Sequence, residues 1–186
     1  DVYKRQIQKM KLKPFQVYSV KGPMAFAGYM ALNDLDYPKL KDTPYFASFN
    51  PDTQPVEKLF ENIAKRDILL YHPYQTFTSV VDLVQQAAKD PAVLGIKMTL
   101  YRVGNNSPIV KALMEARQRG KQVTAVVELK ARFDEENNIE WSRQLEDAGC
   151  RVIYGLDGYK VHSKLCLITR KKKGKVSYIC LLYTSP

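Results

Sequence analysis

Cysteine is scarce in this chain, and the three cysteines present do not form a recognisable framework. Cys150, Cys166 and Cys180 are odd in number and show neither C-x-x-C nor paired spacing, which excludes a disulfide scaffold and a structural zinc site. The chain also lacks a signal-peptide pattern and any apolar run long enough to span a bilayer. We therefore expect a soluble protein of the reducing cytoplasm.

Acidic residues are in deficit. The chain has 29 Lys+Arg against 19 Asp+Glu, a formal net charge of +10. A strongly positive surface indicates an anionic partner, which could be nucleic acid, a phosphate polymer or a membrane surface, and charge alone does not choose between them. With 186 residues, 45% of them hydrophobic, the chain can bury a core, so it is neither disordered nor fibrous.

The two ends of the chain differ from the rest. Residues 1–6 and 180–186 resemble translated adapter sequence, so we expect both to be non-native and the chain to be an internal fragment. Residues 7–55, with many prolines and aromatics, are expected to be the end of a preceding domain and a linker, with a peripheral subdomain as the alternative. Residues 56–179 are expected to form the main domain, truncated at its end.

From residue 56 onward, strand and helix patterns alternate. Helical patterns occupy residues 56–66, 79–89, 107–120 and 138–148, and strand patterns occupy residues 68–71, 93–101, 123–129 and 150–154. Ser107 and Pro108 indicate a helix start with a hydroxyl cap. The apolar run at 123–129 is typical of a strand covered on both faces. This alternation predicts an α/β fold with a mostly parallel sheet flanked by helices.

His162 and Lys164 are the most informative pair of residues. In an extended segment they point the same way, whereas Val161 and Leu165 point the other way. A neutral imidazole has a lone pair that can accept a phosphoryl group, and a cation beside it can hold the phosphate oxygens. Taken alone, H-x-K is a short pattern, and a purely structural histidine is the other interpretation.

Two arginines precede this histidine at equal intervals in the sequence. Arg102 and Arg132 each follow a predicted strand, and thirty positions separate Arg102 from Arg132 and Arg132 from His162. About thirty residues is the length of a strand-helix-strand unit, so residues at this interval can return to one edge of a sheet. Open α/β sheets bind their ligands at that edge.

The turn at residues 155–158 extends this argument to the histidine. It is too short to hold a crossover helix, so the strand beginning near Val161 should run antiparallel to the strand that ends at Tyr154. A returning strand starts at the edge where the parallel strands end. We therefore predict that His162 and Lys164 face the two arginines across one cleft.

With these residues placed, residues 12–178 resemble the bacterial polyphosphate kinase family, whose members reversibly transfer the terminal phosphate of ATP to inorganic polyphosphate. The matching motifs are His72-Pro73-Tyr74, Ile96-Lys97, Leu100-Tyr101-Arg102, Ser107-Pro108-Ile109-Val110, Gly120-Lys121-Gln122-Val123-Thr124, residues 127–138, and Tyr154-Gly155 through Lys164. The resemblance ends near residue 179, before the family's second histidine motif and the rest of its nucleotide site.

The resemblance implies a phospholipase D-like catalytic domain over residues 56–179, with a phosphohistidine at His162. It also implies that Arg102 and Arg132 belong to the site that holds the phosphate chain and its magnesium. Because Mg²⁺ takes oxygen ligands, both arginines should grip phosphate oxygens whose other lone pairs bind the metal. Lys164 should act on the transferring phosphoryl group as a point charge.

The resemblance also implies the partners. They are ATP or ADP and inorganic polyphosphate, and no nucleic acid is expected. The complete protein should be a homo-oligomer in the cytoplasm, and its association with a membrane stays open. The fragment alone should be inactive. Two other functions stay open: a non-catalytic polyphosphate-binding or anion-binding α/β module, and a phospholipase D-like phosphodiesterase. Thr169 disfavours the phosphodiesterase, whose motif has an aspartate at that position.

Two charged runs have two interpretations each. Asp134, Glu135 and Glu136 could ligate a metal, but we favour a place in the first turn of the next helix, where the dipole stabilises negative charge. Residues 171–173, three lysines, could steer polyphosphate, but a solvated turn is the favoured interpretation.

Overall fold

A five-stranded mixed sheet organises Phe46–Pro186, the second of two units into which the computed structural model divides the chain. The structure describes residues 2–22, 25–104, 106–131 and 135–183. The strands are β1 (Val93–Leu100), β2 (Gln122–Val127), β3 (Arg151–Tyr154), β4 (Lys164–Lys172) and β5 (Lys175–Tyr183), in the order β3-β2-β1-β4-β5. Strands β1 to β3 are parallel, and β4 and β5 are antiparallel to their neighbours. The predicted α/β class with flanking helices is confirmed, and the sheet itself is mixed, with two parallel and two antiparallel pairings.

The first unit, Asp1–Tyr45, consists of short helices. It contains α1 (Val2–Lys9) and the 3-10 helices Pro14–Gln16, Phe26–Asp34 and Pro38–Leu40. None of these helices has a buried residue.

The helices of the second unit pack on one face of the sheet. They are α2 (Leu59–Lys65), α3 (Thr78–Lys89), α4 (Pro108–Gln118) and α5 (Glu135–Asp147). Because α4 and α5 both connect strands that advance in one direction along the sheet, right-handed crossovers place them on the same face. Burial in β2 agrees, since alternate residues from Val123 to Val127 are buried. The expectation that this strand is covered on both faces was wrong for the described residues.

The buried core fixes β1 at the centre of the sheet. Ile96 of β1, Ala125 of β2 and Ile168 of β4 are each 0% exposed and belong to one cluster with Val84 of α3 and Leu113 of α4. Burial of the isoleucine, valine and leucine side chains in this cluster contributes about 1.5–3 kcal/mol each. The pairing of β1 with β2 on one side and β4 on the other brings the end of β1 beside the start of β4.

Three local predictions differ from the structure. Residues 68–71 form no strand, and Leu69 is 86% exposed, because a short apolar run does not by itself specify a strand. The returning strand is antiparallel as predicted, but it begins at Lys164, not near Val161, and its neighbour in the sheet is β1. Ser107 precedes α4 as predicted, although its hydroxyl makes no capping hydrogen bond.

The end of the described chain continues the sheet. Residues 180–183, set aside above as non-native, belong to β5 and pair with residues 164–167 of β4. Residues 171–173 are exposed at the β4–β5 turn, at the opposite end of β4 from Lys164, which favours the solvated-turn interpretation. Among the described residues, no helix is both long and apolar enough to cross a membrane.

Asp90 joins several elements at the edge of the sheet opposite the cleft described below. Its carboxylate accepts hydrogen bonds from Arg170 Nε and Nη2 at 3.0 and 2.7 Å, and from the Ala92 amide at 2.8 Å. Its backbone carbonyl accepts a bond from Lys121 Nζ at 2.6 Å. Burial lowers the pKa of Lys121, an effect that the charge of Asp90 partly offsets.

We expect Asp90→Ala to destabilise the chain by about 2 kcal/mol, because it leaves the partly buried Arg170 guanidinium without its charged acceptor. The Arg170 and Asp90 side chains are 17% and 19% exposed. Thermal or urea unfolding of the 186-residue chain measures the change. Glu115→Ala, which breaks the more exposed pair of Glu115 with Arg119, is the matched control and should cost about 0.5 kcal/mol. Equal losses in both variants would contradict a special contribution from Asp90.

Candidate active site

A cleft of about 550 Å³ lies where β1 ends and β4 begins. Its polar lining includes Arg102, His162 and Lys164, and its apolar lining includes Val80 and Met98. Three of the four predicted site residues therefore line one cleft. Arg132, the fourth, lies outside the described residues, so its place in this cleft stays a prediction.

The ring of Tyr101 is the common contact of these side chains. The His162 ring meets it edge-on, with 4.9 Å between centroids and an interplanar angle of 81°. Lys164 Nζ lies 4.4 Å from the Tyr101 centroid, Lys160 Nζ lies 5.6 Å from it, and Arg102 Cζ lies 5.9 Å from it. Cations are attracted to the face of an aromatic ring. Tyr101 thus gathers positive charge beside the imidazole, and such a cluster attracts an anion.

The segment that carries the histidine is coil, not strand as predicted, and it is held from β1. Thr99 Oγ1 donates to the Ser163 carbonyl at 2.7 Å and accepts from the Leu165 amide at 2.8 Å. Lys164 Nζ donates to the His162 carbonyl at 2.6 Å. The His162 side chain itself is exposed. The backbone on either side of Lys164 is therefore fixed, while the imidazole stays accessible from the cleft.

Helix α5 fixes the loop that carries Arg102. Asn138 Nδ2 donates to the Tyr101 carbonyl at 2.7 Å, and Trp141 Nε1 donates to the Gly104 carbonyl at 2.9 Å. These two bonds flank Arg102 in sequence. The guanidinium is exposed and the backbone beneath it is anchored, which suits a side chain that reaches toward a ligand.

The described residues of the cleft offer cationic side chains, not a metal-ligand cluster. Glu135 and Glu136 lie in the first turn of α5, as we favoured, and Asp134 lies outside the described residues. No group of three or more His, Cys, Asp or Glu side chains in the described part of the chain is arranged to hold a metal ion. Since Mg²⁺ prefers oxygen ligands, the cationic side chains of the cleft would not ligate it directly, and a magnesium ion here would need oxygen ligands from a bound phosphate.

Four residues that shape the cleft were not predicted as site residues. They are Thr99, Tyr101, Glu128 and Asn138. Glu128 and Asn138 have a weak sequence signal. Glu128 is a charged residue directly after the apolar strand β2. Asn138 is a polar residue on the same buried face of α5 as Leu145. Each also has a hydrogen-bond partner in a distant part of the chain, Val161 for Glu128 and Tyr101 for Asn138, which no local pattern reveals.

Comparisons with known proteins give a consistent result. Residues 58–185 match the family model for the polyphosphate kinase C-terminal domain 1. The chain is 51% identical over 166 residues to polyphosphate kinase 1 of Chlorobaculum tepidum, covering 89% of this chain and 24% of that protein. The crystal structure of polyphosphate kinase from Porphyromonas gingivalis is similar with a TM-score of 0.65 and 40% identity, over 78% of this chain and 24% of that one.

A weaker likeness, with a TM-score of 0.39 and 22% identity, covers 47% of this chain and 59% of Nuc, a phospholipase D family member from Salmonella typhimurium. The chain spans about a quarter of the length of the curated relatives that it matches.

Proposed function

This chain belongs to the polyphosphate kinase family, and from that premise we propose that the complete protein reversibly transfers the terminal phosphate of ATP to inorganic polyphosphate through a phosphohistidine at His162. One observation supports the proposal most directly: the exposed imidazole shares a cleft with Arg102 and Lys164 around the Tyr101 ring. Because the chain is about a quarter of its relatives' length, the proposal concerns the complete protein, and we expect the isolated chain to be inactive.

The first step forms the phosphohistidine. A ring nitrogen of His162 attacks the γ-phosphorus of ATP, a P–N bond forms, and the bond from that phosphorus to the bridging oxygen breaks, so that ADP leaves with the electron pair. Arg102 and Lys164 stabilise the charge on the transferring group, Arg102 as a two-pronged donor and Lys164 as a point charge. Both cations lie within 6 Å of the ring that touches the imidazole, at 5.9 and 4.4 Å.

The second step releases the phosphoryl group. A terminal oxygen of polyphosphate attacks the phosphorus on His162, the P–N bond breaks, and a new P–O–P bond lengthens the polymer by one phosphate. The imidazole recovers its lone pair. Since each step binds a phosphate chain against the same nitrogen, the same cations serve both steps and both directions.

In this proposal the phosphate chain carries the magnesium ion. Mg²⁺ bound to phosphate oxygens would offset part of their negative charge. Arg102 would hold the other lone pairs of those oxygens, and by resemblance so would Arg132. The homo-oligomeric state, the cytoplasmic location and any membrane association stay predictions from the resemblance.

Labelling with two forms of ATP tests the proposed function. The complete protein is incubated with Mg²⁺ and ATP carrying the label on either the γ- or the α-phosphate. We expect protein label from the γ-phosphate only, labile in acid and stable in base. Label from the α-phosphate would instead indicate phosphodiesterase-type chemistry. Binding of polyphosphate without any label would select the anion-binding module.

A further inference from the structure

We propose that Glu128 is a positioning residue, which sets the place of the His162 segment relative to the two loops expected to carry the arginines. This inference rests on the proposed phosphotransfer through His162. Glu128 follows β2 directly and is 6% exposed. A glutamate is seldom buried to this degree unless its carboxylate has partners.

Both oxygens of the Glu128 carboxylate accept hydrogen bonds from backbone amides. Oε1 accepts from the Lys130 amide at 2.9 Å, and Oε2 accepts from the Val161 amide at 2.8 Å. Lys130 lies two residues before Arg132, and Val161 immediately precedes His162. A single side chain therefore links the backbone at Lys130 to the backbone that carries the imidazole.

The backbone of Glu128 is tied in turn to the Arg102 loop. Its amide donates to the Leu100 carbonyl at 3.1 Å. Its carbonyl accepts from Asn138 Nδ2 at 2.9 Å, and the same amide nitrogen donates to the Tyr101 carbonyl at 2.7 Å. Asn138 is 1% exposed, so these bonds are shielded from water. A continuous set of contacts thus joins the loops after β1 and β2 to the segment before β4.

A carboxylate suits this position because one backbone N–H group donates to each of its two oxygens. Glutamine has nearly the same volume but only one acceptor oxygen, and its NH₂ group would oppose one of the two amide donors. Glu128→Gln should therefore release one loop and preserve the shape of the core. In-line transfer depends on alignment, and a misplacement of about 1 Å can cost roughly 100-fold in rate.

The test compares Glu128→Gln with Glu61→Gln in the complete protein. Glu61 is an exposed residue of α2, so its variant should behave as wild type. For Glu128→Gln we expect the single-turnover rate of His162 labelling by γ-labelled ATP to fall by about 10- to 100-fold. The dissociation constant for ATP should stay within about two-fold, and hydrogen exchange should accelerate in peptides covering residues 129–131 and 159–164.

Several outcomes would overturn the positioning role. One is an unchanged labelling rate, and another is unchanged hydrogen exchange in those peptides. A third is faster exchange throughout the domain together with a matching loss of ATP binding, which would mark Glu128 as purely structural. If Glu128→Gln does not fold, Glu128→Asp keeps the charge but is one methylene too short to reach both amides, and the same two readouts apply. Failure of the wild-type protein to label at His162 would instead refute the proposed function.

Discussion

His162→Ala should abolish phosphoprotein formation and lower the rate of polyphosphate synthesis by at least about 10⁴-fold, because alanine has no atom that can carry the phosphoryl group. The residual cations would still bind phosphate, so affinity for ATP should change little. The measurement is acid-labile, base-stable label from γ-labelled ATP in the complete protein, together with the rate of polyphosphate formation. Loss of label with retained ATP binding is the expected result.

The matched control for this substitution is His72→Gln. The chain has two histidines, and His72 Nδ1 lies 2.8 Å from the Gln75 carbonyl, in a hydrogen bond that gives this ring a local structural role. We expect His72→Gln to label normally. Label that persists after His162→Ala, or disappears in His72→Gln with the fold intact, would contradict the assignment of the nucleophile.

The helices of the second unit and the first three strands were predictable because their signals are local. Apolar residues repeat at the helical or strand period within each of these segments, and Gly149 marks the end of α5. The neighbour of β4 was not predictable in this way. The short turn at 155–158 sets its direction, but Cys166 and Ile168 become buried only when β4 joins β1 at the centre of the sheet, and that choice depends on the whole core.

The residues of the site also fall into two groups, those that sequence spacing predicted and those that it did not. Equal spacing predicted that Arg102 and His162 return to one edge, and the structure places both in one cleft. Spacing carries no information about Glu128 or Thr99, since each makes a hydrogen bond to a backbone group more than thirty residues away in sequence, 33 positions for Glu128 to Val161 and 64 for Thr99 to Ser163. Such residues are evident only after the chain has folded.

Arg102→Ala should lower kcat/KM for ATP in the complete protein by about 10³-fold, because an arginine on the transferring phosphoryl group typically contributes 10³ to 10⁵. Arg102→Lys should recover only part of that loss, since an ammonium cannot donate to two phosphate oxygens in the geometry of a guanidinium. Steady-state kinetics and the single-turnover labelling rate at His162 measure both effects.

The exposure of Arg102 makes this prediction separable from an effect on stability. Its guanidinium is exposed, and Tyr101 and Gly104 on either side are held through their carbonyls by Asn138 and Trp141. Removal of the side chain therefore leaves the loop anchored and opens no cavity. Arg143→Ala, an exposed position on α5, removes the same charge elsewhere and should leave the rate unchanged. A comparable loss in both variants would mean that net charge, and not a direct hold on phosphate, accounts for the effect of Arg102.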